Sequence, residues 1–211
     1  MKAILFDLDG TLLDTLEDLT DATNAALTHF GYPTRSLEEV RKFVGNGAKN
    51  QITLSLPAGV PAEEIDRVLS WYKTYYAAHS QLKTRPYDGI LEALEAVKGE
   101  FPVAIVSNKP DVAVKILCKQ YFGDVFALGE SDSCPRKPAP DMVHQALRAI
   151  GADSCIYVGD SEVDVLTARN AGVPCLSVLW GFRDRQTLIE GGADHFCLTP
   201  ADLLNSLKEM I

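Results

Sequence analysis

Short apolar runs alternate with stretches of helical periodicity over most of the chain. The strand-like runs span residues 3–8, 103–107, 125–128, 155–158 and 174–178, with a weaker one at 195–198. Between and after them, apolar residues recur at helical spacing over residues 90–98, 112–121, 140–150, 163–171, 185–190 and 201–210. Strands that alternate with helices are typical of a parallel sheet covered on both faces. The pattern therefore predicts an α/β fold.

One segment, residues 14–85, shows helical periodicity and almost no strand pattern. An apolar stripe runs from Leu16 to Phe30, and further helices are expected at residues 38–44, 49–56 and 62–78. Pro86 and Gly89 then mark the return of the chain to the α/β pattern and suit a hinge. We expect a core domain of residues 1–13 and 86–211, with a small four-helix cap domain of residues 14–85 inserted into it as a lid.

Composition and charge exclude several classes of partner. The chain has 211 residues, of which 46% are hydrophobic and 23% charged, as is usual for a soluble globular protein. Its formal net charge of −9 argues against nucleic acid and anionic membrane surfaces as partners. No apolar run approaches the roughly 18–20 residues that span a bilayer. The sequence carries no signal for an oligomeric state.

Cysteine and histidine usage favours a reducing compartment. The five cysteines, an odd number, include no CxxC pair. The four histidines are scattered, with no HxxxH or HExxH pattern. The N-terminus has one lysine and reaches an acidic residue by position 7, which is unlike a signal peptide. We therefore expect a cytoplasmic protein.

The first strand-like run leads into two aspartates, Asp7 and Asp9. Residues two apart on a strand point to the same side, so these carboxylates would converge if the chain stays extended. Neighbouring carboxylates repel each other unless a cation lies between them or they share a proton. Open parallel sheets bind ligands at the carboxyl ends of their strands, where these residues fall. We therefore predict a functional site around Asp7 and Asp9.

Three further polar motifs lie where loops at the edge of the sheet are expected. At Ser107 and Asn108, a hydroxyl and free backbone N–H groups at a helix N-terminus would suit an anion. Lys137 precedes prolines that restrict the backbone and could aim its charge inward. Asp160 and Asp164 follow the run at 155–158. Each motif alone also fits a structural explanation: a plain helix cap, a solvated lysine, or an N-cap aspartate with a first-turn acid.

Together and in this order, FDLDGT, SN, KP and GDSEVD resemble the four-motif signature of the haloacid dehalogenase superfamily, in its branch of phosphatases with an aspartate nucleophile. The resemblance covers the whole chain, because the helical insertion lies where that family has its C1 cap. It implies a Rossmann-like parallel sheet for the core domain. Within the superfamily, FVGNG at residues 43–47 and VGDS at residues 158–161 look most similar to phosphoglycolate phosphatases.

The resemblance implies an aspartyl-phosphate mechanism. Asp7 would be the nucleophile, and Asp9 would protonate the leaving alkoxide and then act as the base that activates water. Mg²⁺ would be bound by the carboxylates of Asp7 and Asp160 and by the backbone carbonyl of Asp9. Asp164 would orient metal-bound water from outside the ligand set. Dehalogenases and ion-pumping ATPases of the superfamily lack an aspartate at the position of Asp9, which favours phosphate-ester chemistry here.

The same resemblance implies a phosphate-binding group of Thr11, Ser107, Asn108 and Lys137. Ser107 and Lys137 would bind the transferring phosphoryl oxygens, and Lys137 would also balance charge during catalysis. Thr11 would form a hydrogen bond near Asp9, and Asn108 would shape the phosphate loop.

Four residues of the predicted cap are candidates for contacts with the leaving group. Gly45, Asn46 and Gly47 offer backbone N–H groups and Lys49 offers one cation, which together suit a small carboxylate. The alternative is an ordinary loop between two helices with a solvated lysine. Aromatic residues at helical spacing are expected to pack within the cap, namely Trp71, Tyr72, Tyr75 and Tyr76.

The resemblance implies a Mg²⁺-dependent phosphomonoester hydrolase that acts on a small phosphorylated metabolite, with phosphoglycolate as the lead substrate. The alternatives are a pyrophosphatase, a nucleotide or sugar phosphatase, and a phosphomutase similar to β-phosphoglucomutase, which would share both aspartates of the first motif. A catalytically silent protein on this fold is disfavoured because all the motif positions are intact.

Overall fold

The computed structural model describes residues 1–131 and 134–211, which form two compact units. One unit comprises Met1–Leu13 and Pro86–Ile211, and the other comprises Asp14–Arg85. The strands are β1 (Lys2–Phe6), β2 (Leu13–Asp14), β3 (Arg85–Pro86), β4 (Val103–Pro110), β5 (Phe126–Glu130), β6 (Ser154–Gly159), β7 (Cys175–Val178) and β8 (Phe196–Cys197). The short strands β2 and β3 pair with each other where the chain passes from one unit to the other.

The helices of the second unit are α1 (Leu16–His29), α2 (Leu37–Phe43), α3 (Gly47–Ser55) and α4 (Ala62–His79). The helices of the first unit are α5 (Ile90–Lys98), α6 (Asp111–Phe122), α7 (Asp141–Ile150), α8 (Glu162–Ala171), α9 (Arg185–Glu190) and α10 (Leu203–Lys208). A 3₁₀ turn at Pro200–Asp202 precedes α10, where the sequence pattern predicted one longer helix. No helix among the described residues is long and apolar enough to cross a membrane.

The predicted α/β fold is confirmed by a six-stranded sheet in the order β5-β4-β1-β6-β7-β8, whose recorded pairings are all parallel. Strand β1 lies inside the sheet, and its residues alternate between two buried faces. Ile4 and Phe6 pack with residues of α5, α6 and α10, whereas Ala3 and Leu5 pack with residues of α7 and α8. Because both faces are covered, the strand is apolar at every position from 3 to 6.

The register of the central strands brings their carboxyl ends to one edge of the sheet. Phe6 pairs with Ile105 of β4 on one side and with Val158 of β6 on the other. The residues that follow these pairs therefore leave the sheet close together. This edge receives the polar motifs of β1, β4 and β6.

One local prediction at this edge is wrong. Ser107, Asn108 and Lys109 do not lie at a helix N-terminus, because β4 continues to Pro110 and α6 begins at Asp111. Pro110 still pairs with Glu130 of β5, after an irregularity in the register, and this pairing keeps the segment extended. Ser107 therefore offers its hydroxyl from a strand, without the N–H groups of a helix end.

The helical unit has its own buried contacts. The carboxylate of Asp18 on α1 accepts hydrogen bonds from the backbone N–H of Lys83 at 3.0 Å and from the backbone N–H and hydroxyl of Thr84 at 2.8 Å. Asp18 thus fixes the segment that follows α4. Tyr72 and Tyr76 are buried and stack on each other, and Trp71 stacks on Tyr75 with 5.1 Å between ring centroids.

Candidate active site

Three buried carboxylates form the centre of the polar edge. Atoms of Asp7, Asp160 and Asp164 lie within 4.8 Å of one another. Burial raises the pKa of Asp7 well above its usual range; Lys137 opposes this shift, and Asp164 and Asp160 add to it. Burial and then the charge of Asp164 raise the pKa of Asp160 to about 7. Both pKa values are thus raised mainly by loss of hydration, and the neighbouring carboxylates add to the effect.

Lys137 supplies the positive charge beside these carboxylates. Its Nζ lies 2.8 Å from Asp7 Oδ1 and 2.7 Å from Asp164 Oδ1, and it donates to the Tyr157 hydroxyl at 3.1 Å. Burial by itself would lower the pKa of Lys137, but Asp164 and Asp7 raise it well above the usual value. The sequence alone allowed Lys137 to be either solvated or directed inward. In the structure it is buried and permanently charged.

Asn108 holds the backbone of Lys137. Its side-chain amide donates to the Lys137 carbonyl oxygen at 3.0 Å, and the Lys137 N–H donates to Asn108 Oδ1 at 2.8 Å. This pair of hydrogen bonds joins β4 to the segment before α7. Both ends of the Asn108 amide face the neighbouring backbone, a geometry that suits positioning of Lys137 better than direct contact with an anion.

Asp160 is fixed from several sides. The Thr11 hydroxyl donates to Oδ1 at 3.1 Å, and the backbone N–H of Phe182 donates to Oδ2 at 2.7 Å. A Cβ at Gly10, whose φ is +85°, would lie 2.3 Å from Asp160 Oδ2, and a Cβ at Gly181 would lie 2.3 Å from Asp160 Cβ. The two glycines thus leave the space that the Asp160 carboxylate occupies. Thr11 contacts Asp160, whereas the sequence predicted a hydrogen bond near Asp9.

Asp164 has a structural task as well as an electrostatic one. Its Oδ2 accepts hydrogen bonds from the Ser161 backbone N–H at 3.0 Å and from the Ser161 hydroxyl at 2.6 Å, which caps α8. Its Oδ1 lies against Lys137. Asp164 therefore caps α8 and holds Lys137.

Asp9 is paired with Lys109, a residue outside the polar motifs predicted from the sequence. Lys109 Nζ donates to Asp9 Oδ1 at 2.9 Å and to Oδ2 at 3.1 Å. The Lys109 side chain is 2% exposed and the Asp9 side chain 14%. The spacing contained a usable signal: Ser107 and Lys109 are two apart on a strand, so both point to the side of the sheet edge that carries the site.

The donor set fits a hard divalent cation. Asp7 Oδ1 is buried and, among the described residues, accepts no hydrogen bond of good geometry, although it pairs with the ammonium of Lys137. The site has a formal charge of −2, which a divalent ion would balance. It combines four carboxylates and two ammonium groups, namely Asp7, Asp9, Asp160, Asp164, Lys109 and Lys137. Oxygen ligands from carboxylates and backbone suit such an ion. Carboxylate oxygens of Asp7, Asp160 and Asp164 lie close enough together to bind one such ion.

The four cap candidates belong to the helical unit. Gly45 and Gly47 have φ values of +115° and +77°, and Asn46 occupies the N-cap position of α3. Lys49 Nζ lies 2.8 Å from Asp66 Oδ1, in an exposed ion pair. The charge of Lys49 is thus already balanced by a carboxylate of its own unit.

The chain is similar to known proteins over most of its length. The family model described as haloacid dehalogenase-like hydrolase matches residues 4–178. The chain is 32% identical to phosphoglycolate phosphatase 1 of Pseudomonas aeruginosa over 100% of its own length and 78% of the relative's, and 35% identical to a phosphoglycolate phosphatase of Rhodobacter capsulatus over 86% and 85%. A candidate phosphoglycolate phosphatase of Lactobacillus delbrueckii subsp. bulgaricus superposes with a TM-score of 0.93 at 37% identity and covers 98% of each chain.

Proposed function

Because this chain belongs to the haloacid dehalogenase-like hydrolase family, we propose that it hydrolyses a small phosphate monoester through a covalent intermediate on Asp7. The observation that carries the proposal is the placement of Asp7, buried beside Asp160 and paired with Lys137 at 2.8 Å. Burial raises the pKa of Asp7, and a more basic carboxylate is a stronger nucleophile. The adjacent ammonium of Lys137 reduces the repulsion between this carboxylate and an approaching phosphate dianion.

The reaction has two steps. In the first, an oxygen of Asp7 forms a bond to phosphorus while the ester P–O bond breaks, and Asp9 gives its proton to the departing alkoxide oxygen. In the second, water attacks the same phosphorus, Asp9 accepts the proton of that water, and the bond between phosphorus and Asp7 breaks. The products are an alcohol and inorganic phosphate, and both aspartates return to their starting states.

Ser107 and Lys137 would hold the phosphoryl oxygens during transfer. The Ser107 side chain is buried at the end of β4, and Lys137 carries a charge that Asp164 and Asp7 maintain. Thr11 and Asn108 would act indirectly, because Thr11 donates to Asp160 and Asn108 holds the backbone of Lys137. A preorganised cation costs little reorganisation when charge develops on the phosphoryl group.

Mg²⁺ is the cofactor that we propose for this site. The carboxylates of Asp7 and Asp160 and the backbone carbonyl of Asp9 would bind it. When bound, it supplies positive charge that offsets repulsion between the phosphate and the carboxylates. Asp164, which holds Lys137 and caps α8, would orient metal-bound water from outside the ligand set.

We propose 2-phosphoglycolate as the substrate, because the relatives with which the chain shares about a third of its residues carry that activity in their names. The helical unit, residues 14–85, would select the substrate, with Gly45, Asn46, Gly47 and Lys49 as its candidate contacts. Release of Lys49 from Asp66 would be needed before that cation could bind a ligand.

The five free cysteines agree with a cytoplasmic site of action.

The test is phosphate release from 2-phosphoglycolate, sugar phosphates, nucleoside monophosphates and pyrophosphate, with Mg²⁺ and with a chelator. We expect Mg²⁺-dependent release with the highest kcat/KM for 2-phosphoglycolate, and none from Asp7→Asn. A flat or sugar-weighted profile would overturn the substrate and retain the reaction. Isomerisation of a sugar phosphate without net phosphate release would instead identify a phosphomutase. Full activity of Asp7→Asn would overturn the covalent mechanism.

A further inference from the structure

Lys109 is the feature of the site that the proposed reaction leaves unexplained. Its ammonium donates to both carboxylate oxygens of Asp9, at 2.9 and 3.1 Å, across a sequence separation of 100 residues. The lysine side chain is 2% exposed, so most of its hydration is lost. A charge at that depth is costly unless it is paired, and Asp9 is the carboxylate that pairs with it.

The backbone that carries Lys109 is itself closely packed. The Lys109 N–H donates to Ser107 Oγ at 3.2 Å, and Asp111 Oδ1 accepts a hydrogen bond from the Gly129 N–H at 3.0 Å. A Cβ at Gly129 would lie 2.6 Å from the Lys109 carbonyl oxygen, so the backbone of β5 approaches the end of β4 as closely as only a glycine allows. The ammonium of Lys109 therefore contacts Asp9 from a closely packed segment of backbone.

The two buried lysines of the site have different partners. Lys137 contacts Asp7 and Asp164, whereas Lys109 contacts Asp9. Asp9 is also more exposed than Asp7, at 14% against 9% of the side chain. Asp9, the more solvent-accessible carboxylate, is thus held by Lys109. Asp7, which would form the covalent bond, is held by a different lysine.

We propose that Lys109 is a positioning residue for Asp9. Lys109 binds both oxygens of the Asp9 carboxylate and so fixes its orientation. In the protonated acid that the first step requires, Lys109 holds one oxygen while the other carries the proton, which passes to the ester oxygen as the P–O bond breaks and Asp7 bonds to phosphorus. Orientation of a proton donor matters because transfer requires hydrogen-bond contact in the transition state. This inference rests on the proposed phosphomonoesterase activity.

The test exploits the leaving group. An alkyl phosphate needs a proton on its departing oxygen, whereas p-nitrophenolate leaves without one, so only the alkyl ester depends on a positioned acid. We measure kcat/KM for the preferred alkyl phosphate and for p-nitrophenyl phosphate, because this ratio reports the first step alone. Lys109→Met is expected to lower the alkyl value about 10- to 100-fold and the p-nitrophenyl value less than about threefold. Asp9→Asn is expected to show the same selectivity with a larger loss.

A double-mutant cycle separates positioning through Asp9 from a general structural effect. If Lys109 acts through Asp9, Lys109→Met adds less than about threefold to the loss already caused by Asp9→Asn. Lys109→Arg, which keeps a charge able to bind both oxygens, is expected to recover at least part of the activity toward the alkyl ester. Lys115→Met is the matched control, because it removes an exposed lysine that pairs with Asp111 at 2.6 Å and should leave both esters unaffected.

The outcomes distinguish the two proposals. Equal losses for both esters in Lys109→Met, or full additivity in the cycle, would overturn the positioning role while the phosphatase activity stands. If Lys109→Met does not fold, Lys109→Arg decides. A folded Lys109→Arg enzyme with equal losses on both esters would overturn the positioning role, whereas full activity on both esters or a loss confined to the alkyl ester would support it. Absence of phosphate release by the unmodified protein from either ester would overturn the proposed function instead.

Discussion

Substitution of Lys137 by methionine should destabilise the protein in a manner that depends on pH. The lysine side chain is 2% exposed and contacts Asp7 Oδ1 at 2.8 Å and Asp164 Oδ1 at 2.7 Å. Methionine keeps a similar volume but leaves two buried carboxylates without their cation. Removal of one partner from a buried ion pair typically costs about 3–5 kcal/mol, and we expect a loss of that order at pH 8 without metal.

The sign of the pH effect follows from Asp7. Burial raises the pKa of Asp7 in the folded state, and Lys137 opposes that shift, so the substitution raises the pKa further. An acid with a raised folded pKa binds a proton in the folded state that the unfolded chain has already released. The variant therefore loses stability, relative to the parent, as pH rises through the raised folded-state pKa of Asp7, by about 1.4 kcal/mol for each pKa unit added.

Urea denaturation at pH 5.5 and pH 8.0 in the presence of a chelator measures this difference. The loss in free energy of unfolding should be larger at pH 8.0, and Lys115→Met, which removes an exposed ion pair, should show no measurable loss at either pH. An equal loss at both pH values would refute the reasoning, because it would mean that the cost comes from packing and not from unpaired charge. Phosphate release by Lys137→Met should also fall by at least about 100-fold.

Three further predictions concern the same edge of the sheet. Asn108→Ala should lower the free energy of unfolding by about 2 kcal/mol in urea denaturation, since it removes two buried hydrogen bonds to Lys137, and kcat should fall more than KM rises. Gly181→Ala should abolish phosphate release, because its Cβ would lie 2.3 Å from Asp160 Cβ, whereas Gly99→Ala, with no neighbour closer than 3.4 Å, should retain full activity. Because the pKa of Asp160 is raised to about 7, Mg²⁺ affinity measured by calorimetry should fall up to about tenfold per unit below that pH; a pH-independent affinity would contradict this.

The sequence alone predicted the order of strands and helices in the α/β unit. Residues 3–6 are apolar at every position because both faces of β1 are buried, and this local pattern needs no tertiary information to be recognised. The rule that ligands bind at the carboxyl ends of parallel strands then directed attention to Asp7, Ser107 and Asp160. The end of β4 was misjudged, because only its pairing with Glu130 of β5 keeps the chain extended as far as Pro110.

The pairing of charges was decided by the tertiary structure. Lys109 meets Asp9 across 100 residues, Thr11 meets Asp160 across 149, and Asn108 meets Lys137 across 29. Hydrophobic periodicity specifies which face of a strand or helix is buried, but not the register in which strands lie beside one another. A buried ammonium selects its partner by distance and desolvation, which depend on that register. The sequence therefore identified most of the residues that reach the site, though not Lys109, and the packing of β1, β4 and β6 determined which of them hold one another.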